Sequence, residues 1–188
     1  MEQAILRINP NVVSLTGVAL CAVAGVIALL TEAWLMVAVV FAAGVLCDLL
    51  DGKLARRNPD VTRRKVGAVV DALCDKLGEA AFVFPLILAT PPDFYLLGIA
   101  YGLGLWSSEV KMEYSGGNLP SGFDIPWREV KVFGRGSRTV TLVATLLVAG
   151  LYGEHWFVVG FWVLLVTNGI SVVWRNSKVW RHLRKADI

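Results

Sequence analysis

Six segments rich in apolar residues, 12–30, 34–56, 67–89, 94–114, 135–152 and 156–176, alternate with short polar breaks. Most are long enough to span a bilayer as helices, at ~20 residues per crossing. The breaks carry helix-stopping chemistry. Asn9-Pro10-Asn11 opens the first helix, because Pro10 disfavours an earlier helical start. Pro91-Pro92-Asp93 separates the third and fourth, and Tyr152-Gly153-Glu154 the last two. The longest loop runs from Ser115-Gly116-Gly117-Asn118 through Pro126. No internal repeat and no low-complexity tract is visible. The pattern predicts an all-α integral membrane protein forming one domain over 1–188. Residues 1–11 form a short interfacial segment (Ile5, Leu6, Ile8), 12–176 six transmembrane helices, and 177–188 a basic cytoplasmic tail.

Composition agrees. Of 188 residues, 56% are hydrophobic, and mean hydropathy is +0.62, too apolar for an ordinary soluble domain. No cleavable signal peptide is expected ahead of the first span. The basic residues set the orientation. The turns near 31–33, 90–93 and 153–155 hold no Lys or Arg. The opposite side holds Arg7, the Arg56/Arg57/Arg63/Arg64/Lys65 cluster, Arg128, Lys131, Arg135 and the tail cations. The positive-inside rule makes that side cytoplasmic, with both termini there. The basic tail also suits anionic membrane lipids. Nothing in the pattern calls for nucleic acid. Cys21, Cys47 and Cys74 lie in apolar segments without paired spacing, as small hydrophobes do. The seven tryptophans, Trp34 and Trp156 among them, fall mostly near span ends, as an aromatic belt. His155 reads as part of a solvated turn and His182 as part of the tail.

Within this apolar frame stand four aspartates in 28 residues: Asp48 and Asp51 near the end of the second helix, Asp71 and Asp75 near the start of the third. Ionisable groups in membrane helices are expensive and functional by default. Four like charges in a low dielectric also repel strongly unless cations sit among them. Helices two and three share a short loop and should be antiparallel neighbours. At ~1.5 Å per residue, each aspartate pair lies ~6–12 Å from its loop end, so the pairs reach similar depth. The spacings i,i+3 and i,i+4 put each pair on one helix face. Such carboxylates suit Mg²⁺ or Mn²⁺, and four can hold two ions, an arrangement made for phosphoryl displacement. They outnumber the nearby bases, so Asp–Arg pairing alone does not account for them. Gly52, Ala55 and Gly67 leave the helices without bulk there, and Arg56 can meet a phosphate bidentately. Glu79 continues the Asp71/Asp75 face one turn deeper, as a satisfied bundle carboxylate.

The motif Asp48-x2-Asp51-Gly52-x2-Ala55-Arg56, ten residues, Gly67-x3-Asp71-x3-Asp75 resembles the signature of the CDP-alcohol phosphotransferase family. Eight residues stand at the family's offsets, and the gap before Gly67 is slightly longer than its common form. The resemblance implies transfer of a substituted phosphoryl group from a CDP-alcohol, such as CDP-diacylglycerol or CDP-archaeol, to an acceptor hydroxyl. CMP leaves, and the product enters phospholipid biosynthesis. It implies two ions on Asp48, Asp51, Asp71 and Asp75, with Asp75 also the general base. It further implies CDP-substrate contacts at Gly52, Ala55, Arg56, Thr62 and Gly67, and at Asn9, Pro10, Asn11 and Val12. A homodimer is implied as well.

The second half narrows the acceptor. Arg135 and Arg138, in Phe133-Gly134-Arg135-Gly136-Ser137-Arg138, resemble the R-x-x-R stretch of the family's inositol-phosphate-using branch. Arg175 resembles a third arginine of that branch, and Lys111 offers a fourth cation. Gly134 and Ser137 stand where the branch commonly has acidic residues. The acceptor expected is an anionic alcohol, myo-inositol 1-phosphate first, because several cations suit a dianionic sugar phosphate. Glycerol 3-phosphate, or CDP-inositol as donor, keeps the same chemistry. The loop 115–134 either covers the acceptor pocket or lies on lipid. A divalent-cation or small-molecule transporter is the rival class, but it predicts outward-running acidic groups or an inverted repeat. Neither is present. The complete aspartate set also argues against an inactive scaffold.

Overall fold

A computed structural model describes the backbone of residues 10–57, 61–90, 94–115 and 135–185. Side chains are described throughout these segments except at 10, 51–72, 94, 106–115, 135, 182–183 and 185. Among the described residues there are six helices and no strand: α1 (Pro10–Leu30), α2 (Trp34–Arg57), α3 (Val61–Ala89), α4 (Phe94–Ser115), α5 (Arg135–Tyr152) and α6 (Trp156–Lys185). Pro10 is the first residue of α1, where its missing N–H and fixed φ are harmless. At the other end of α1, both the N–H and the hydroxyl of Thr31 donate to Ile27 O, each at 2.9 Å. Gly153 ends α5 with φ 108°, its N–H donating to Ala149 O at 2.9 Å, a left-handed position that favours glycine.

Two boundaries differ from the sequence expectation. Helix α3 begins at Val61 rather than at 67, and α6 continues to Lys185 rather than stopping at 176. The apolar pattern underestimates both because the added turns are charged. Neither 61–66 nor 177–185 contains Pro or Gly, so nothing in them breaks a helix once the apolar part has started one. The tail at 177–185 is therefore helical, and its cations sit favourably at a helix C-terminus.

The helices pack in two units. The first takes residues up to Pro91 together with Leu146–Gly153. Its central element is α1, which packs extensively against both α2 and α3, whereas α2 and α3 touch each other at fewer positions. Ser14, Gly17, Cys21, Ala24, Gly25 and Ala28 form the buried face of α1, and all are small. Small residues let helix backbones approach closely where lipid supplies no hydrophobic drive. A Cβ on Gly17 would lie 3.0 Å from Gly44 O of α2. A Cβ on Gly25 would lie 2.6 Å from Ala81 O of α3. Helices α2 and α3 meet through Phe41 and Phe82, whose rings stack at 3.9 Å between centroids.

The second unit takes Pro92–Thr145 and Glu154–Ile188, with α4 packed along α6. The buried positions of α6 run Phe157, Phe161, Leu164, Asn168, Ser171, Arg175, Val179, a stripe at three- and four-residue steps. Its first half is apolar, and then it turns polar. Asn168 Nδ2 donates to Ala100 O of α4 at 2.8 Å. Gly160 lies directly against the Thr145 side chain of α5.

The outward faces are apolar. Leu88 is 71% exposed and Val173 70%, a surface suited to lipid rather than water. By length and composition, Asn11–Leu30 and Trp156–Arg181 are able to cross a membrane; Trp34–Leu50, Tyr95–Leu105 and Gly136–Tyr152 are shorter apolar stretches.

Candidate active site

The Phe41/Phe82 stack fixes the register of the aspartate helices. Asp48 follows Phe41 by seven residues, and Asp75 precedes Phe82 by seven. Helix α2 ends at Arg57 and α3 begins at Val61, so both offsets run toward the ends that these two helices share in sequence. Asp48 and Asp75 therefore lie at one level, each about 10 Å from the stack and about 20° round its helix from the stacked ring. Asp51 and Asp71 lie one turn nearer the connection, ten and eleven residues from their rings. By helix periodicity backbone position 71 stays within about 20° of the position of its ring residue, and position 51 lies about 80° round from its own. The sequence argument placed each pair ~6–12 Å from its helix end; with α3 starting at Val61, its pair lies farther in, at about 15 and 21 Å.

Of the four side chains, those of Asp48 and Asp75 are described, and both are half-buried. Oδ1 of Asp75 is shut off from solvent with no hydrogen bond reaching it, although the residue has a polar interaction elsewhere. An inward carboxylate oxygen of that kind suits a hard cation. Among the described residues no group of three or more His, Cys, Asp or Glu side chains gathers as a ligand set. Glu79 is half-buried and has a polar partner, in keeping with a satisfied bundle carboxylate.

The expected CDP-substrate residues fall at two places. Asn11 and Val12 are exposed on the first turn of α1, with Pro10 as its first residue; Asn9 lies outside the described residues. Gly52, Ala55 and Arg56 are in the last turns of α2, and Thr62 and Gly67 in the first turns of α3; their side chains lie outside the described residues. The loop 116–134 does as well. Lys111 and Arg135 lie on helical backbone in α4 and α5, without described side chains.

Arg138 and Arg175, in the second unit, are both buried, at 7% and 8% exposure. The charge of Arg138, on α5, is felt at Arg175, on α6. Arg138 Nη1 donates to Gly104 O of α4 at 2.8 Å. Each Nε is buried and makes no hydrogen bond, while both residues have polar partners through other atoms. Two buried like charges that feel one another are costly unless an anion joins them. Sequence reasoning missed the residues that organise these groups: Phe41, Phe82, Gly104, Asn168 and Ser171. The buried stripe of α6 carries a signal for two of them, because Asn168 and Ser171 precede Arg175 by seven and four residues.

Residues 7–173 match the family model described as CDP-alcohol phosphatidyltransferase. A phosphatidylinositol phosphate synthase of Mycolicibacterium smegmatis (strain ATCC 700084 / mc(2)155) is 43% identical over 85 residues, covering 43% of this chain and 36% of that protein. The matched stretch thus spans about a third of the relative's length. Crystal structures of Mycobacterium tuberculosis phosphatidylinositol phosphate synthase share the fold. The one with CDP-DAG bound has TM-score 0.74 at 23% identity, covering 93% of this chain and 87% of that one. The complex with manganese and citrate has TM-score 0.76 at 24% identity, covering 95% and 86%. At these identities the structural likeness speaks for the fold. With the aspartate signature intact and the family model covering all but the two ends, the chain belongs to the CDP-alcohol phosphatidyltransferase family.

Proposed function

We propose that this protein transfers the phosphatidyl-type group of a membrane-embedded CDP-alcohol to an anionic alcohol, with myo-inositol 1-phosphate as acceptor. CMP is released, and the product feeds phospholipid synthesis. The observation that carries the acceptor reading is the burial of both Arg138 and Arg175, because two buried guanidiniums that feel one another's charge match the two charges of a phosphate monoester. The 43% identity to a phosphatidylinositol phosphate synthase points the same way. The neighbours solved with CDP-DAG and with manganese support the donor class and the metal requirement.

Asp48, Asp51, Asp71 and Asp75 would hold two divalent ions, Mg²⁺ or Mn²⁺, which when bound neutralise the diphosphate and the departing CMP. Asp75 accepts the proton of the acceptor hydroxyl. The acceptor oxygen then bonds to the β-phosphorus as the bond from that phosphorus to the bridging oxygen breaks, and CMP carries off the electron pair. Arg138 and Arg175, with Lys111 and Arg135, hold the acceptor phosphate and orient its hydroxyl. Arg56 and Thr62, and the first turn of α1, bind the CDP portion. Gly52, Ala55 and Gly67 leave room for it.

In the same reading all six helices cross the cytoplasmic membrane, both termini and the active site face the cytoplasm, and the protein works as a homodimer. The apolar outward surfaces and the one-sided placement of the cations support it. The test is CMP release by purified protein with Mg²⁺ or Mn²⁺ and a CDP-lipid, across inositol 1-phosphate, glycerol 3-phosphate, serine and inositol. Release with inositol 1-phosphate alone is expected. Release with glycerol 3-phosphate instead would move the acceptor while keeping the metal chemistry. Release with none would count against the CDP-lipid donor.

A further inference from the structure

We propose that Gly104 is a positioning residue for the acceptor: it sets where the Arg138 guanidinium stands and thereby governs affinity for the anionic alcohol. The proposal rests on the acceptor reading above and deepens it. Arg138 Nη1 is anchored to the Gly104 carbonyl at 2.8 Å, and this anchoring requires glycine. A Cβ at Gly104 would lie 2.9 Å from Nη1, 3.0 Å from Cδ and 3.1 Å from Cζ of Arg138, over most of the outer length of that side chain. The three nearest atoms there all belong to Arg138. The arginine, not the backbone, is what an alanine would displace, so the helices can stay where they are while the guanidinium moves.

The surroundings argue that the position matters. Helix α4 is held from the side on two successive turns, by Asn168 at Ala100 O and by Arg138 at Gly104 O. Helix α6 meets α5 closely where Gly160 lies against Thr145. Arg175 follows Asn168 by two turns on the buried stripe of α6 and feels the charge of Arg138. The carbonyl of Gly104 thus takes one arm of the Arg138 fork and fixes where the guanidinium plane stands. Elsewhere in α4 the glycines are not so constrained, since a Cβ at Gly98 or Gly102 would have nothing within 4 Å.

The experiment compares steady-state kinetics of Gly104→Ala, Gly102→Ala, Arg138→Ala, Arg175→Ala and the Gly104→Ala/Arg138→Ala double variant, with inositol 1-phosphate as the varied acceptor. The proposal expects Gly104→Ala to raise the acceptor KM about tenfold, the loss of one charge-assisted bond. The CDP-lipid KM and kcat stay near wild type, Gly102→Ala is silent, and Gly104→Ala adds nothing once Arg138 is alanine. It is overturned if Arg138→Ala raises the acceptor KM while Gly104→Ala leaves it alone. It is equally overturned if the two effects multiply in the double variant, or if Gly104→Ala shifts both substrates' KM alike, as a packing defect does. If neither Arg138→Ala nor Arg175→Ala moves the acceptor KM, the acceptor reading itself fails. Should Gly104→Ala not fold, Arg138→Lys decides, because an ammonium lacks the planar fork that holds the Gly104 carbonyl with one arm while facing the ligand bidentately. An acceptor KM raised as in Arg138→Ala is expected, and a wild-type KM refutes the anchoring.

Discussion

Replacing Gly25 by alanine probes how α1 is held against α3, and the direction of its effect is opposite to what helix propensity alone dictates. Pro85 lies inside α3 and has no N–H to return to the carbonyl of Ala81, four residues earlier. The backbone of α1 comes against that carbonyl at Gly25. A new Cβ would sit 2.6 Å from Ala81 O and 2.9 and 3.1 Å from Cγ and Cβ of Pro85. A backbone oxygen and a closed ring have little room to give, so reaching an ordinary 3.4 Å contact takes a shift of roughly 0.8 Å between the helices. Overpacking of this kind costs about 1–3 kcal/mol. Alanine's better helix propensity returns about 1 kcal/mol. The net is a destabilisation of up to about 2 kcal/mol, which for a chain of this size lowers Tm by up to about 8 °C. Gly102→Ala keeps the propensity gain without a clash, so its Tm stays level or rises. Thermal unfolding of both variants in one detergent is the assay. A Gly25→Ala protein that melts at or above wild type would refute the close-packing account of α1.

Asp75→Asn should abolish CMP release while CDP-lipid binding partly survives, and losing both together would make Asp75 chiefly an ion ligand; isothermal binding beside turnover separates the two. Chelation with EDTA should stop CMP release and added Mg²⁺ or Mn²⁺ should restore it; turnover that persists after exhaustive chelation counts against the carboxylate site. Phe82→Ala should lower stability by about 3–5 kcal/mol and reduce kcat, because the stack that levels Asp48 with Asp75 is lost. Phe82→Leu should recover much of the stability, and denaturation with parallel assays reads both effects. Arg175→Ala should raise the acceptor KM far more than that of the CDP substrate, and equal shifts in the initial-rate kinetics of both would remove the case for an anion pocket.

The helices and the aspartate motif were legible in the sequence for a local reason. A backbone in lipid must satisfy its own hydrogen bonds, so an apolar run of sufficient length reads directly as a helix, and Pro and Gly mark where it stops. The motif is likewise a matter of spacing along two helices, and Arg138 and Arg175 stand out through their resemblance to the arginines of the inositol-phosphate-using branch. The helical extensions at 61–66 and 177–185 escaped notice because charge was taken as the end of a helix, although nothing there breaks one.

Which faces meet was decided only by the tertiary structure. In a water-soluble bundle the apolar stripe announces the buried side. Here Leu88 and Val173 are as apolar as anything inside, so hydrophobicity does not distinguish lipid from core. Size does: the small face of α1 from Ser14 to Ala28 is buried, and its partners at Gly44, Ala81 and Pro85 are distant in sequence. The pairing of Phe41 with Phe82 and the seat of Arg138 on the Gly104 carbonyl are of the same kind. Each depends on how two helices meet, and the local pattern of neither helix contains that.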